Sequence, residues 1–171
     1  MEEVTVNYGG LDLDRLYKVL EENNIYLNDY ARTILEHPGL TLTPQRSSAV
    51  CKVVSLADIG LAKGASLSDI FSRAYSYDLI PCTLEIALFF RISYRHLVDS
   101  SGLESQGKAP AEAITIASIP LESSDDFPKG LYIRRIDGVD WLRGYTCDDQ
   151  YHFSPEDKFL FKRIDHSKKT G

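Results

Sequence analysis

The chain is short of basic charge. Nineteen Lys and Arg stand against 25 Asp and Glu, giving a formal net charge of −6 and a pI near 5.2. A surface that tracks phosphates needs the opposite sign, so the balance disfavours nucleic acid as a partner. Cysteine is scarce too. Cys51, Cys82 and Cys147 are scattered and odd in number, which argues against a secreted disulfide framework and reads as reduced thiols in a cytoplasmic protein. No apolar run reaches the length of a membrane span, and the acidic beginning resembles neither a signal nor a transit peptide. Internal repeats, low-complexity segments and a phosphate-cradling Gly-x-x-x-x-Gly-Lys-Ser/Thr loop are all missing.

What is present is the composition of a globular domain: 43% hydrophobic and 26% charged over 171 residues, long enough to bury a real core. The acid is concentrated early, with eight Asp or Glu against three Lys or Arg in residues 1–40. Residues 1–10 read as a polar arm, 11–165 as one domain and 166–171 as a tail. Leu13, Leu16, Tyr17 and Leu20 recur at one helical face, as do Leu27, Tyr30, Ala31, Ile34 and Leu35. Two short helices so close together predict an antiparallel pair. Residues 49–57 are β-branched and predict a strand. Ser66 then opens a helix with Leu67, Ile70, Phe71, Ala74 and Tyr75 on one face.

The most apolar window, Leu79 to Tyr94, carries Cys82, Glu85 and Arg91. Polar groups set so deep in an apolar run require partners, because an unpaired buried charge is expensive. Glu85 and Arg91 are therefore expected to pair with each other or with buried backbone groups. Residues 83–87 predict a turn or two of helix capped by Thr83, and 89–94 a strand. Residues 99–110 read as loop. The remainder predicts strands at 113–119, 131–136, 139–145 and 158–164, the middle two joined by Asp137-Gly138, a strong hairpin signal. Helices first and hairpins later is the α+β pattern: N-terminal helices packed on a mostly antiparallel sheet of about five strands.

Two constellations are candidates for function. The hairpin carries Arg134, Arg135, Trp141, Arg143 and Tyr145. Aromatic and Arg side chains are what binding hot spots use, and on one exposed face they would hold a protein partner or a small ligand. They could also stack on nucleic-acid bases. The alternative is a small enzyme. Cys82, ahead of a short helix, would have a lowered pKa, with Glu85 or His152 as its partner and Arg91 to bind an anionic substrate in a cleft. The bland readings are a core tryptophan with solvated arginines, and a packing cysteine beside an internal Glu–Arg pair. Cys147 and His152 lack the second pair of donors that a metal site needs. His37, His96 and His166 have no spaced partner, and no cofactor is indicated.

Taken with Trp141, the central window resembles a family of uncharacterised small bacterial proteins with a Leu-Cys-Pro-Ala-Glu-Val-Gly-Pro-x-Leu-Arg-Leu-x-Tyr signature. That signature falls here on Cys82, Glu85, Arg91 and Tyr94. The likeness runs from about Ala31 to Ile164, through 54–60, 69–74, 116–120, Trp141-Leu142 and 155–161. Thr83 stands in place of the proline, and Ala87-Leu88 in place of Gly-Pro, so helix is expected where the family has a tight turn. Some members are loosely labelled helicase, which nothing in this sequence supports. The resemblance implies a fold and a point of focus, and no activity. The resulting expectation is a cytoplasmic, non-enzymatic binding module, with the Cys82 enzyme as the alternative.

Overall fold

The structure is a computed structural model that describes residues 1–95, 97–100 and 112–165. Val4 and Val6 alternate with polar neighbours, and Val6 is buried. This makes residues 2–8 a strand, β1 (Glu2–Tyr8), where an arm was expected. Asp12 caps α1 (Leu13–Glu22), accepting from the Arg15 N–H at 2.9 Å. A three-residue strand, β2 (Ile25–Leu27), precedes α2 (Asp29–Leu35), capped by Asn28. The two helices do not form the expected antiparallel pair. α1 packs on β2 and on a later helix, while α2 packs on the hairpin, because the intervening strand gives each a different neighbour.

β3 (Ser47–Ser55) and a 3₁₀ turn at Ala57–Ile59 lead to α3 (Leu67–Tyr75), where Ser66 supplies the predicted cap. β4 (Leu79–Ile80) then enters α4 (Leu84–Ser93). Residues 89–93 are therefore helix rather than strand. Their apparent alternation misleads because α4 is buried on nearly every side, Arg91 and Phe90 included, and a helix apolar all round shows no single-face period. The Thr83 hydroxyl caps it, accepting from the Ile86 N–H at 3.2 Å. After β5 (Asp99–Ser100) come β6 (Ile114–Ile116), β7 (Gly130–Ile136), β8 (Val139–Tyr145) and β9 (Lys158–Arg163). Asp137 and Gly138 both take positive φ, 50° and 79°, as the hairpin signal required. The expected tail, 166–171, and residues 101–111 lie outside the described residues.

The fold is α+β, but the sheet is larger and more mixed than expected. Seven strands follow the order β1-β3-β9-β6-β7-β8-β2, curled into a half-barrel, with β4 beside β9 and β5 beside β7. The β9–β6 and β8–β2 neighbours run parallel, and the other neighbours on the path run antiparallel. Parallel neighbours come from crossover connections, which local sequence pattern does not announce. Register separates two cores. Val53 and Leu160 pair on the face covered by α1, α2 and α4, whereas Val54 and Phe159, one step on, pair on the face covered by α3.

Candidate functional site

Helix α4 brings Glu85 and Arg91 into the core, two turns apart, and the fold sends them to different partners. The Glu85 carboxylate, 2% exposed, accepts from the Thr43 N–H at 2.9 Å and from the Thr43 hydroxyl at 2.6 Å. It thus ties the loop before β3 to the start of α4. Arg91 is completely buried. One amino group donates to the Tyr94 carbonyl at 2.9 Å and the other to the Trp141 carbonyl at 3.4 Å, while its Nε–H has no partner among the described residues. Burial pulls its pKa down to about 10, with Asp140 opposing and Arg95 and Arg135 reinforcing the fall, so the guanidinium stays charged at neutral pH. The expectation that both groups find buried backbone partners holds; a direct Glu85–Arg91 pair is absent.

Cys82 does not join them. It is 4% exposed, its backbone N–H donates to the Ala117 carbonyl at 2.7 Å, and its thiol lies 3.7 Å from the Leu160 carbonyl. The acidified thiol expected ahead of α4 is contradicted. A hydrogen bond with the Cys51 thiol, together with burial, pushes the Cys82 pKa well up. A thiol that holds its proton is a poor nucleophile. His152, the other proposed base, is exposed and its Nδ1 contacts the Gln150 carbonyl at 3.1 Å.

The hairpin divides its residues between the two faces of the sheet. Arg135 stands opposite Asp140, and Arg134 opposite Trp141; directly opposed residues share a face. On the helix-covered face Asp140 gathers three guanidiniums: Arg95 at 2.9 Å, Arg135 at 3.0 Å and Arg91 at 3.6 Å. Arg95 also donates to the Asn23 side chain at 2.9 Å, which links the end of α1 to this cluster. Arg135 is therefore committed to an ion pair and does not share a face with Trp141, as a single binding surface would need.

On the other face Arg134, Trp141, Arg143 and Tyr145 do come together with Tyr132, but unevenly. Arg134 is 6% exposed. Tyr145 packs edge-on against Phe153 in the α3-side core, and burial pushes its hydroxyl pKa far up. Trp141 is only half-buried. The Arg143 guanidinium lies 4.9 Å from its ring centroid while its Nε donates to the Tyr132 hydroxyl at 2.9 Å.

The other side of Trp141 is built by residues that sequence reasoning missed. β2 runs parallel to β8 and sets Tyr26 beside Trp141. Their rings meet edge-on at 5.6 Å and 82°, and Tyr26 is 53% exposed. Asn28 holds this corner in place. Its side-chain amide continues the ladder, donating to the Gly144 carbonyl at 3.1 Å and accepting from the Gly144 N–H at 2.8 Å, while its oxygen also caps α2. Gly144 is required there, because a Cβ would sit 2.7 Å from the Tyr30 backbone. Between α1, β2 and α2 the surface sinks into a depression of about 740 Å³, whose lining includes Tyr17, Tyr26, Trp141, Glu21, Glu36 and Arg32. The Tyr17 hydroxyl is buried and makes no hydrogen bond among the described residues. Burial, and then Glu36, raise its pKa, with Arg32 opposing.

Among the described residues no group of three or more His, Cys, Asp or Glu could hold a metal ion, and no helix is long and apolar enough to cross a membrane. The chain matches no family model, no curated protein and no solved structure. The resemblance carried by Cys82, Glu85, Arg91 and Tyr94 therefore receives no further support, and function rests on geometry.

Proposed function

We propose that the protein is a cytoplasmic, non-enzymatic binding module whose contact site is the depression beside Trp141, and that its ligand is a small molecule. One observation carries this reading: the only tryptophan in the chain is half-buried in β8, next to the edge strand β2, and forms a right-angled corner with an exposed tyrosine of that strand. Large aromatic side chains left accessible together mark binding sites, since burying them in a core would be favourable. A depression of about 740 Å³ is also within the size range of small-molecule pockets. Thiol catalysis has less to recommend it. The would-be nucleophile, base and anion-binding group each serve a separate structural bond, at Leu160, Thr43 and Asp140. Nucleic-acid binding through the hairpin is weakened because Arg135 is ion-paired and Arg134 buried.

The test is a fragment screen by NMR, using a set balanced between neutral, cationic and anionic fragments. Fragments should perturb the Trp141 indole, Tyr26 and Tyr17 resonances, and Trp141→Ala should remove those perturbations while leaving the fold intact. A screen in which no fragment reaches these three rings would end the proposal.

A further inference from the structure

The two edges of the sheet are built differently. The edge at β2 is three residues long, too short to template another chain. The edge at β1 is seven residues long, and β3 is its only strand neighbour among the described residues. In an antiparallel strand, alternate residues turn their N–H and C=O groups away from the partner. Among the described residues those outward groups of β1 have no partner, since the backbone of residues 2–8 bonds to β3 alone. So long a row must be open to water, because buried unpaired backbone is rare and costly. The usual protections of an open edge are also missing. Pairing with β3 runs without a bulge from Glu2↔Val53 to Tyr8↔Ser47, and the strand holds neither Lys nor Pro.

The edge is complementary to itself when reversed. Antiparallel alignment about Thr5 sets Thr5 against Thr5, Val4 against Val6, Glu3 against Asn7 and Glu2 against Tyr8. Each pair joins residues of the same parity, so the helix-covered face of one copy continues into that of the other. No carboxylate meets another, whereas parallel alignment would place Glu2 and Glu3 beside their own copies. The far end of the strand supplies the counter-charge. Arg46 is exposed, lies against Gly10 (a Cβ there would sit 3.2 Å from the Arg46 Cγ), and makes no ion pair among the described residues. In the antiparallel alignment this cation stands at the end that Glu2 and Glu3 of the second copy reach, and the arrangement occurs twice. From this we infer that β1 is a self-association edge: two copies of the chain pair antiparallel through Glu2–Tyr8 about a two-fold axis at Thr5, joining their sheets into one. An isologous contact of this kind uses both edges and closes, so assembly stops at a dimer. The inference is independent of the Trp141 site, which belongs to the strands at the other end of the sheet order.

The experiment follows the full chain by sedimentation velocity across concentration. Its weight-average mass should rise from 19.2 kDa towards twice that value by about 100 μM. Thr5→Lys, at an exposed position, sets two ammonium groups face to face on the axis and should return the chain to monomer with an unchanged thermal midpoint. Arg46→Glu adds a carboxylate where Glu2 and Glu3 of the second copy arrive, and should weaken association severalfold. Register is read by cross-linking with a mild thiol oxidant, diamide. On the axis a residue meets its own copy, so Thr5→Cys should yield a covalent dimer, while Glu3→Cys, opposite Asn7, and the wild-type chain should not. A mass of 19.2 kDa at every concentration would overturn the inference. So would a dimer that survives Thr5→Lys, or that links as readily through Glu3→Cys, because association would then lie elsewhere. A monomer whose β1 amide resonances shift only on adding a foreign peptide of alternating valine and threonine would also overturn it, giving the edge to another strand.

Discussion

Asp140 and Trp141 are adjacent in one strand, yet they serve opposite ends of the molecule's chemistry. Asp140 faces the helices and joins three guanidiniums, one of them completely buried. Trp141 faces the other way, half-buried between Arg143 and Tyr26. The strand's two-residue period sends consecutive side chains to different surroundings, so a single hairpin supplies both a structural knot and an accessible aromatic corner. The knot also fixes the corner, since Arg91 donates to the carbonyl of Trp141 itself. Polarity alone does not distinguish site from scaffold in this hairpin: the most heavily charged cluster is scaffold.

The comparison can be broken hardest at Asp140. Asp140→Ala leaves the buried Arg91 without its carboxylate and should destabilise the fold by about 3–5 kcal/mol in a denaturant titration. A loss under about 1 kcal/mol would mean that the cluster does not hold the fold. The reciprocal change is expected to be far milder. Arg91→Met leaves Asp140 paired with Arg95 and Arg135 and removes a desolvated charge, so its effect should stay within about 1 kcal/mol. Equal effects from the two variants would show that the knot does not centre on the carboxylate.

Away from the hairpin, Thr43→Val strips a hydroxyl donor from the Glu85 carboxylate and should cost about 1.5–3 kcal/mol, the range for hydrogen bonds to charged groups. Gly144→Ala forces a methyl against the Tyr30 backbone and should cost about 1–3 kcal/mol through overpacking. Its melting curve would also report loosening of the Asn28–Gly144 ladder, and an unchanged midpoint would contradict the close approach described for α2. The mildest of these three effects belongs to the accessible side. Arg143→Ala removes one cation–π contact and the bond to the Tyr132 hydroxyl and should cost only about 1–2 kcal/mol. A cost approaching that of Asp140→Ala would erase the distinction between knot and corner.

Much of the site's geometry was within reach of the sequence. The Asp137-Gly138 turn implies that Arg135 faces Asp140 and Arg134 faces Trp141, as observed, so the split of the two arginines follows from counting outward from the turn. Taken as one group, however, the hairpin residues hide both that split and the role of Asp140 as the counter-charge. Tyr17 was legible only as part of the apolar face of α1, and nothing in the sequence singled out Tyr26. The strand that brings Tyr26 to Trp141 is three residues long and pairs across more than a hundred positions, and so short a segment carries no alternation to detect. Helix α4 was misjudged for a related reason, because a segment buried all round loses the one-sided period by which helices are recognised.

Local chemistry was enough to determine the helix caps at Ser66 and Thr83, the positive-φ hairpin turn, the α+β class and the need of Glu85 and Arg91 for partners. These depend on interactions within a few residues, or on the energetic demand of a single group, and both are written in the order of side chains. Tertiary structure alone decided who the partners are. It gave Thr43 to Glu85, Asp140 to Arg91 and the Leu160 carbonyl to Cys82, and through the parallel β2–β8 pairing it set Tyr26 against Trp141. Such choices depend on which distant segments become neighbours, which is settled by the burial of both sheet faces together and not by any stretch of chain on its own.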